Sequence, residues 1–197
     1  MISGAACLTG GTFFVAFMEV ILKKKAEIMD ENTIRRAISR ITYEILERNG
    51  GAENICVIGI LSRGAVLAKR ITDKIKELEK VDVPFGILDI THYRDDAKSE
   101  AESEKTVINF DVKDKRVILV DDVMYTGRST RAALDAIISR GRPQSIQLAV
   151  LIDRGHRELP VRPDYVGKNV PTAKDEIVKV MVSEKDGEDK VVIYTMQ

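Results

Sequence analysis

Tryptophan is absent from this 197-residue chain, and cysteine and histidine occur only twice each. Cys7 and Cys56 stand far apart with no C-x-x-C, which argues against a disulfide framework or a cysteine-built zinc site and fits a reducing cytoplasm. His92 and His156 are too few for a histidine-rich metal site. The two commonest nucleotide-binding signatures, G-x-x-x-x-G-K-S/T and G-x-G-x-x-G, are also missing. Charge of either sign is not in excess: 31 Lys and Arg balance 31 Asp and Glu. No global attraction to nucleic acid or an anionic membrane follows, so any such affinity must come from a local patch. Long apolar runs are lacking too. "MISGAACLTGGTFFVAFMEVIL" has no basic start and is broken by Glu19, so it makes a poor signal peptide and too short a membrane span. Residues 1–28 are read as an extension of unknown role, with a start near Met18, and residues 29–197 as one domain.

What is present is a globular composition, 44% hydrophobic, with apolar strands alternating with amphipathic helices. Asp30 is a suitable N-cap and Gly50-Gly51 a suitable stop for a helix whose Ile34, Ile38, Ile41 and Ile45 share one face. "NICVIGIL", "VPFGILDITHYRDD", "KRVILV" and "SIQLAVLID" read as buried strands, and "AVLAKRITDKIKELEK" and "RSTRAALDAIISRG" as helices. "AKSEAESEK" reads as a charged, mobile loop, and "RGHRELPVRPDYVGKNVPTAKDE" as a polar one. The C-terminal stretch reads as a strand pair turning at "KDGED". The alternation implies an α/β fold with a mostly parallel sheet covered on both faces.

The chemistry concentrates in "VILVDDVMYTGRST", Val117 to Thr130. In such a sheet ligands bind at the carboxyl ends of strands, where Asp121 and Asp122 fall. The turn after them enters a helix, whose first amides form an anion site. Hydroxyls of Thr126, Ser129 and Thr130 add donors, and Gly127 lets the backbone come close. Carboxylates would repel a bare phosphate. They suit sugar hydroxyls or a magnesium shell beside it, so a sugar phosphate answers the pattern best. A pair of acids after a strand also occurs in Walker B elements, but no P-loop partners it here.

This stretch resembles the phosphoribosyl pyrophosphate (PRPP) signature of type I phosphoribosyltransferases. "IGILSRGAVLAKRI", "LDITHYRDD" and "LIDRGHRELPVRPDYVGKNVPT" extend the resemblance, from about Met29 onward, to the PyrR family, bifunctional pyrimidine operon regulators and uracil phosphoribosyltransferases. The resemblance implies a type I phosphoribosyltransferase fold with a small hood and a flexible lid. It implies transfer of phosphoribosyl from PRPP to uracil, giving UMP and pyrophosphate. Asp121 and Asp122 would hold the ribose diol and favour a developing positive sugar; Val123, Met124, Tyr125, Thr126, Gly127, Arg128, Ser129 and Thr130 would form the 5′-phosphate loop. Ser62, Arg63 and Gly64 match the pyrophosphate loop, Arg63 supplying charge and Gly64 permitting a strained backbone. Magnesium would be held by PRPP oxygens and water, without a dedicated protein cage. Tyr93 and Arg94 would contact the substrate from the lid, while His92 replaces an apolar residue and reads as a surface histidine. Arg154 and the Val178 backbone correspond to base contacts. Purine-salvage relatives commonly carry an aspartate where Tyr125 stands, so a pyrimidine is favoured.

The same family binds the leader mRNA of the pyrimidine operon and promotes attenuation, with UMP or UTP favouring binding. Matching positions are Ser39, Arg40, His156, Arg157, Arg162 and Lys168, with Arg36 and Arg48 as extensions; Tyr43 stands where a histidine is common. The resemblance further implies a homodimer or homotetramer and no membrane association. A salvage phosphoribosyltransferase without RNA binding, and a nucleotide sensor without turnover, are the alternatives.

Overall fold

The computed structural model describes residues 22–93 and 105–196. Five parallel strands form the central sheet in the order β3-β2-β4-β5-β6: β2 (Ile55–Ile60), β3 (Phe85–Leu88), β4 (Arg116–Met124), β5 (Ser145–Asp153) and β6 (Tyr165–Asn169). Every residue of β2 is buried, as are Val117 to Asp121 of β4. Helices on both faces explain these unbroken apolar runs. A second, three-stranded antiparallel sheet, ordered β1-β8-β7, forms a hood from β1 (Leu22–Met29), β7 (Glu176–Met181) and β8 (Lys190–Met196).

Helix α1 (Glu31–Asn49) begins where the Asp30 carboxylate accepts from Thr33 N–H at 2.8 Å, and ends at Gly50 in the left-handed region. Its buried stripe includes Ile34, Ile38, Ile41 and Ile45 and packs into one core cluster with α2 (Arg63–Glu79). On the other face, α3 (Arg128–Arg140) buries Ala132, Ala133, Ala136 and Ile137 against the sheet. These side chains share one cluster with Val117 and Leu119 of β4 and Leu148 and Val150 of β5.

Four elements differ from the sequence reading. Strand β3 ends at Leu88, short of the strand expected to run on through "THYRDD", and a 3-10 turn over Thr91–Tyr93 follows it. Strand β1, all but Met29, lies within the segment expected to be an extension and pairs with β8. Strand β6 lies within the expected polar loop and pairs with β5. The C-terminal pair is antiparallel as expected, but the one-turn helix α4 (Ser183–Asp186) intervenes before its turn. The expected loop "AKSEAESEK" falls largely outside the described residues, as do residues 1–21 of the expected extension.

Candidate active site

The chain passes from β2 to the edge strand β3 and returns to β4 on the other side of β2. The crevice between the carboxyl ends of β2 and β4 is therefore the sheet's switch point, where open α/β sheets bind ligands. The Ser62–Gly64 turn leaves β2 there, and Asp121 and Asp122 sit in the last turns of β4's ladder. Both acids belong to the strand itself; β4 continues through Met124 beyond the apolar run.

Two glycines bring these walls together. A Cβ on Gly64 would stand 2.6 Å from the Val120 carbonyl oxygen and 3.1 Å from Asp121 Cα. A Cβ on Gly59 would lie 2.4 Å from Ala65 Cα. Gly64 is not in the left-handed region, which corrects the expectation of a strained backbone: it is needed for close approach. Gly127 does adopt positive φ, +93°, and turns the chain into α3.

Asp121 is buried, and its Oδ1 accepts from Asp122 N–H at 2.9 Å. Asp122 is half-buried; its Oδ1 accepts from Val123 N–H at 3.0 Å, and among the described residues its other oxygen takes no hydrogen bond. Asp121 and Val123 to Thr130 line a cavity of about 300 Å3. The first amides of α3 lack partners four residues upstream; Arg128 N–H turns to Thr126 Oγ1 at 3.4 Å, which leaves the Ser129 and Thr130 amides and the positive end of the helix dipole at the cavity. A larger groove of about 900 Å3 lies between α1 and α2, away from these acids. Of the two, the smaller cavity joins a carboxylate, Asp121, to the start of α3.

Among the described residues no three His, Cys, Asp or Glu side chains converge as a metal cluster. The half-buried Asp122 carboxylate nonetheless fits magnesium, which takes one or two carboxylates together with substrate phosphates and water. Arg63 donates to Asp186 through Nε at 3.0 Å and Nη2 at 2.7 Å. That bond with Asp186 raises the guanidinium's pKa, and the nearby Asp122 charge adds to it. Three of its five N–H groups remain for a phosphate. The peptide between Leu61 and Ser62 is cis.

Arg154, expected from the family resemblance to contact the base, packs against Tyr125 of the cavity lining. Only 6% exposed, it donates from Nε to Thr172 Oγ1 at 3.0 Å and from Nη2 to the carbonyls of Ala173 and Glu176 at 3.2 and 2.6 Å. Its guanidinium carbon lies 4.1 Å from the Tyr125 ring centroid, a cation–π contact in a desolvated place. Strand β7 is an edge of the hood sheet. Its Glu176 carbonyl faces Arg154, so by the two-residue period of a strand the Val178 peptide groups face the same side.

Of the two expected lid residues, the one the structure describes stands away from the cradle. Tyr93, in a 3-10 turn over Thr91–Tyr93, puts its hydroxyl 3.3 Å from Ser139 Oγ near the far end of α3. The helical rise places that about 16 Å from the cradle. Arg94 lies outside the described residues. His92 is exposed, as expected of a surface histidine. Sequence reasoning missed Asp89. This buried carboxylate accepts from Thr91 N–H and Oγ1 at 3.0 and 2.6 Å and from Lys105 N–H at 3.3 Å, tying the two ends of the intervening stretch together. The Thr91 hydroxyl holds its pKa below the ordinary value.

A family model described as the phosphoribosyl transferase domain matches residues 25–185. A protein of Deinococcus radiodurans named bifunctional protein PyrR is 59% identical over 173 residues, covering 86% of this chain and 94% of that one. Another of the same name from Oceanobacillus iheyensis is 56% identical, covering 88% and 99%. The chain belongs to the PyrR family of phosphoribosyltransferases. Solved hypoxanthine phosphoribosyltransferases share its fold. One from Trypanosoma cruzi aligns with TM-score 0.69 at 18% identity over 88% of this chain and 96% of its own. A hypoxanthine-guanine enzyme from Bacillus anthracis aligns with TM-score 0.67 at 22% identity over 89% and 100%.

The second set of expected PyrR residues gathers around β6. Arg40, exposed on α1, donates to the Val166 and Gly167 carbonyls at 2.8 and 2.7 Å and to Glu44 at 2.6 Å. Lys168, on β6, donates to the Ile28 carbonyl at 3.0 Å. Ser39 is half-buried beside Arg40, and Arg162 is exposed just before β6. His156 follows β5 with φ +59° and its ring bonds the Thr172 carbonyl. Arg157 pairs with buried Asp153. Of the two extensions, Arg48 is spent on Asp164 at 2.6 Å, whereas Arg36 lines the α1–α2 groove with exposed Tyr43.

Proposed function

We propose that this protein transfers phosphoribosyl from PRPP to uracil and also binds the leader mRNA of pyrimidine genes, with UMP or UTP favouring RNA binding. One observation carries the enzymatic half: a strand ending in two carboxylates runs directly into an amide-lined cavity of about 300 Å3 at the sheet's switch point. The 5′-phosphate would sit on the α3 amides and the hydroxyls of Thr126 and Ser129, which line that cavity, whereas the buried Thr130 hydroxyl, expected to join them, donates to Met124 Sδ at 3.6 Å. Asp121 and Asp122 would take the ribose diol and offset the positive charge of an oxocarbenium-like transition state. Pyrophosphate would leave toward Ser62–Gly64, where Arg63 keeps free N–H groups. Magnesium would neutralise pyrophosphate oxygens, with Asp122 as the nearest available carboxylate. In the step itself the C1′–O bond to pyrophosphate breaks, the C1′–N1 bond to uracil forms, and uracil loses its N1 proton.

Arg154 and the Val178 peptide offer donors and an acceptor suited to a pyrimidine's carbonyls and N3–H. Tyr125 supplies no carboxylate for purine chemistry. For RNA, the cationic and hydroxyl groups of Ser39, Arg40, His156, Arg157, Arg162 and Lys168 support recognition by phosphate contacts and hydrogen bonds. The reading includes a homodimer or homotetramer and a cytoplasmic place; no described helix is long and apolar enough to cross a membrane. A uracil, PRPP and magnesium assay tests the transfer. A gel-shift with leader RNA, with and without UMP, tests the regulator against a salvage enzyme alone, for which Tyr43 in place of a histidine is the favouring observation.

A further inference from the structure

Arg154 and His156 are assigned to the two proposed sites, and both are held by one residue assigned to neither. Thr172, in the connection between β6 and β7, accepts from Arg154 Nε through its hydroxyl at 3.0 Å and bonds His156 through its carbonyl. The Tyr125 ring closes the triangle. Its face carries the Arg154 guanidinium at 4.1 Å, and His156 approaches its ring edge-on at 6.0 Å between centroids.

The arrangement has a chemical consequence. Arg154 is a buried cation held by neutral oxygens and one ring face, and its hydrogen bonds use only Nε and Nη2. Among the described residues Nη1 makes no hydrogen bond, so two donors remain for a carbonyl oxygen. Their aim depends on the plane of the guanidinium. Tyr125 sets that plane, and Thr172 Oγ1 fixes rotation within it. A ligand pulling on Nη1 therefore pulls on Thr172, and through its carbonyl on His156.

Resting on the proposed function, we propose that Thr172 is a positioning residue that orients Arg154 for a pyrimidine carbonyl and passes occupancy of the base pocket to the RNA-facing loop at His156. Valine is the informative substitution. It keeps the shape and the carbonyl that His156 uses, and removes only the hydroxyl that Arg154 uses.

The test compares the full-length protein with Thr172→Val and Thr172→Ser. Steady-state KM for uracil and for PRPP, melting temperature, and the ratio of leader-RNA affinity with UMP to that without are measured on each. Thr172→Val is expected to raise KM for uracil about tenfold, as for a lost hydrogen bond to a charged group. KM for PRPP should change less than about twofold, a margin well inside that effect. The UMP-dependent ratio should fall toward one, and Thr172→Ser should restore both values. Unchanged KM for uracil in Thr172→Val, an intact UMP ratio, or a joint rise of both KM values with a lower melting temperature overturns the proposal. Absence of turnover by the unsubstituted protein counts instead against the proposed function.

Discussion

Gly64 packs against Val120 so closely that a methyl group on it would lie 2.6 Å from the Val120 carbonyl oxygen. The contact joins the start of α2 to β4 immediately before Asp121. It fixes the distance between the pyrophosphate turn and the carboxylates. Gly64→Ala should push the turn from the strand, costing about 1–3 kcal/mol as overpacking does. Misplacement of the turn should cost roughly a hundredfold in kcat/KM for PRPP. Urea unfolding and PRPP-dependent kinetics on one preparation check both halves.

The two proposed activities should separate by mutation. Asp122→Asn should lower phosphoribosyl transfer by roughly two to three orders of magnitude, as for a lost electrostatic contact to the transition state. Its leader-RNA affinity should hold. On the RNA side Arg162 is a cleaner target than Arg157. Arg157 neutralises Asp153, whose side chain is 5% exposed, so its removal would strand a buried carboxylate beside Arg154. Arg162 is exposed on a loop. Arg162→Ala should weaken RNA binding, reduce its logarithmic salt slope by about one, and leave transfer intact. Gel-shifts at several salt concentrations with parallel assays provide the readout.

Acid should loosen the hood. The Arg63 bond, and then the Val182 amide, hold the Asp186 carboxyl below its ordinary 3.8. A depressed carboxyl contributes stability above its unfolded value, and that contribution is lost as pH falls through the folded value. The stability difference between the unsubstituted protein and Asp186→Asn should therefore be constant from neutral pH down to about 5 and shrink below about 4. Urea titrations across that range measure it. A difference that grew as pH fell would contradict the pairing.

Cys56 is fully buried in β2, and burial pushes its thiol pKa up to about 12. Nucleophilic thiolate is then scarce at neutral pH. Peptide mapping after treatment with iodoacetamide should find Cys56 unmodified in the native protein and modified after denaturation.

Much of this architecture is local and hence legible in the sequence. Asp30 and Gly50 bound α1 because capping acts within a turn, and the apolar runs of β2, β4 and β5 declare strands buried on both faces. Asp121, Asp122 and the following turn are likewise contiguous. Strands β1 and β6 were hidden because their mixed sequences, "LKKKAEIM" and "YVGKN", carry no clear alternation and owe their form to pairing with β8 and β5. The Arg63–Asp186 pair spans 123 positions, and Asp89 meets Lys105 across 16, separations that no local pattern encodes. Thr172 was invisible for the same reason: its partners meet it only once β5, β6 and the hood have assembled.

The central claim is that the cavity between Asp121 and Thr130 receives the phosphate of PRPP while the acids hold its ribose. Titration calorimetry of the full-length protein with PRPP and magnesium tests it most directly, using Gly127→Val to obstruct the turn, where φ is +93° and Leu159 Cβ would lie 3.4 Å from a new Cβ. Saturable uptake by the unsubstituted protein, lost in a Gly127→Val protein that melts cooperatively, is the predicted result. No heat of binding from the unsubstituted protein, or equal uptake by both, would contradict it.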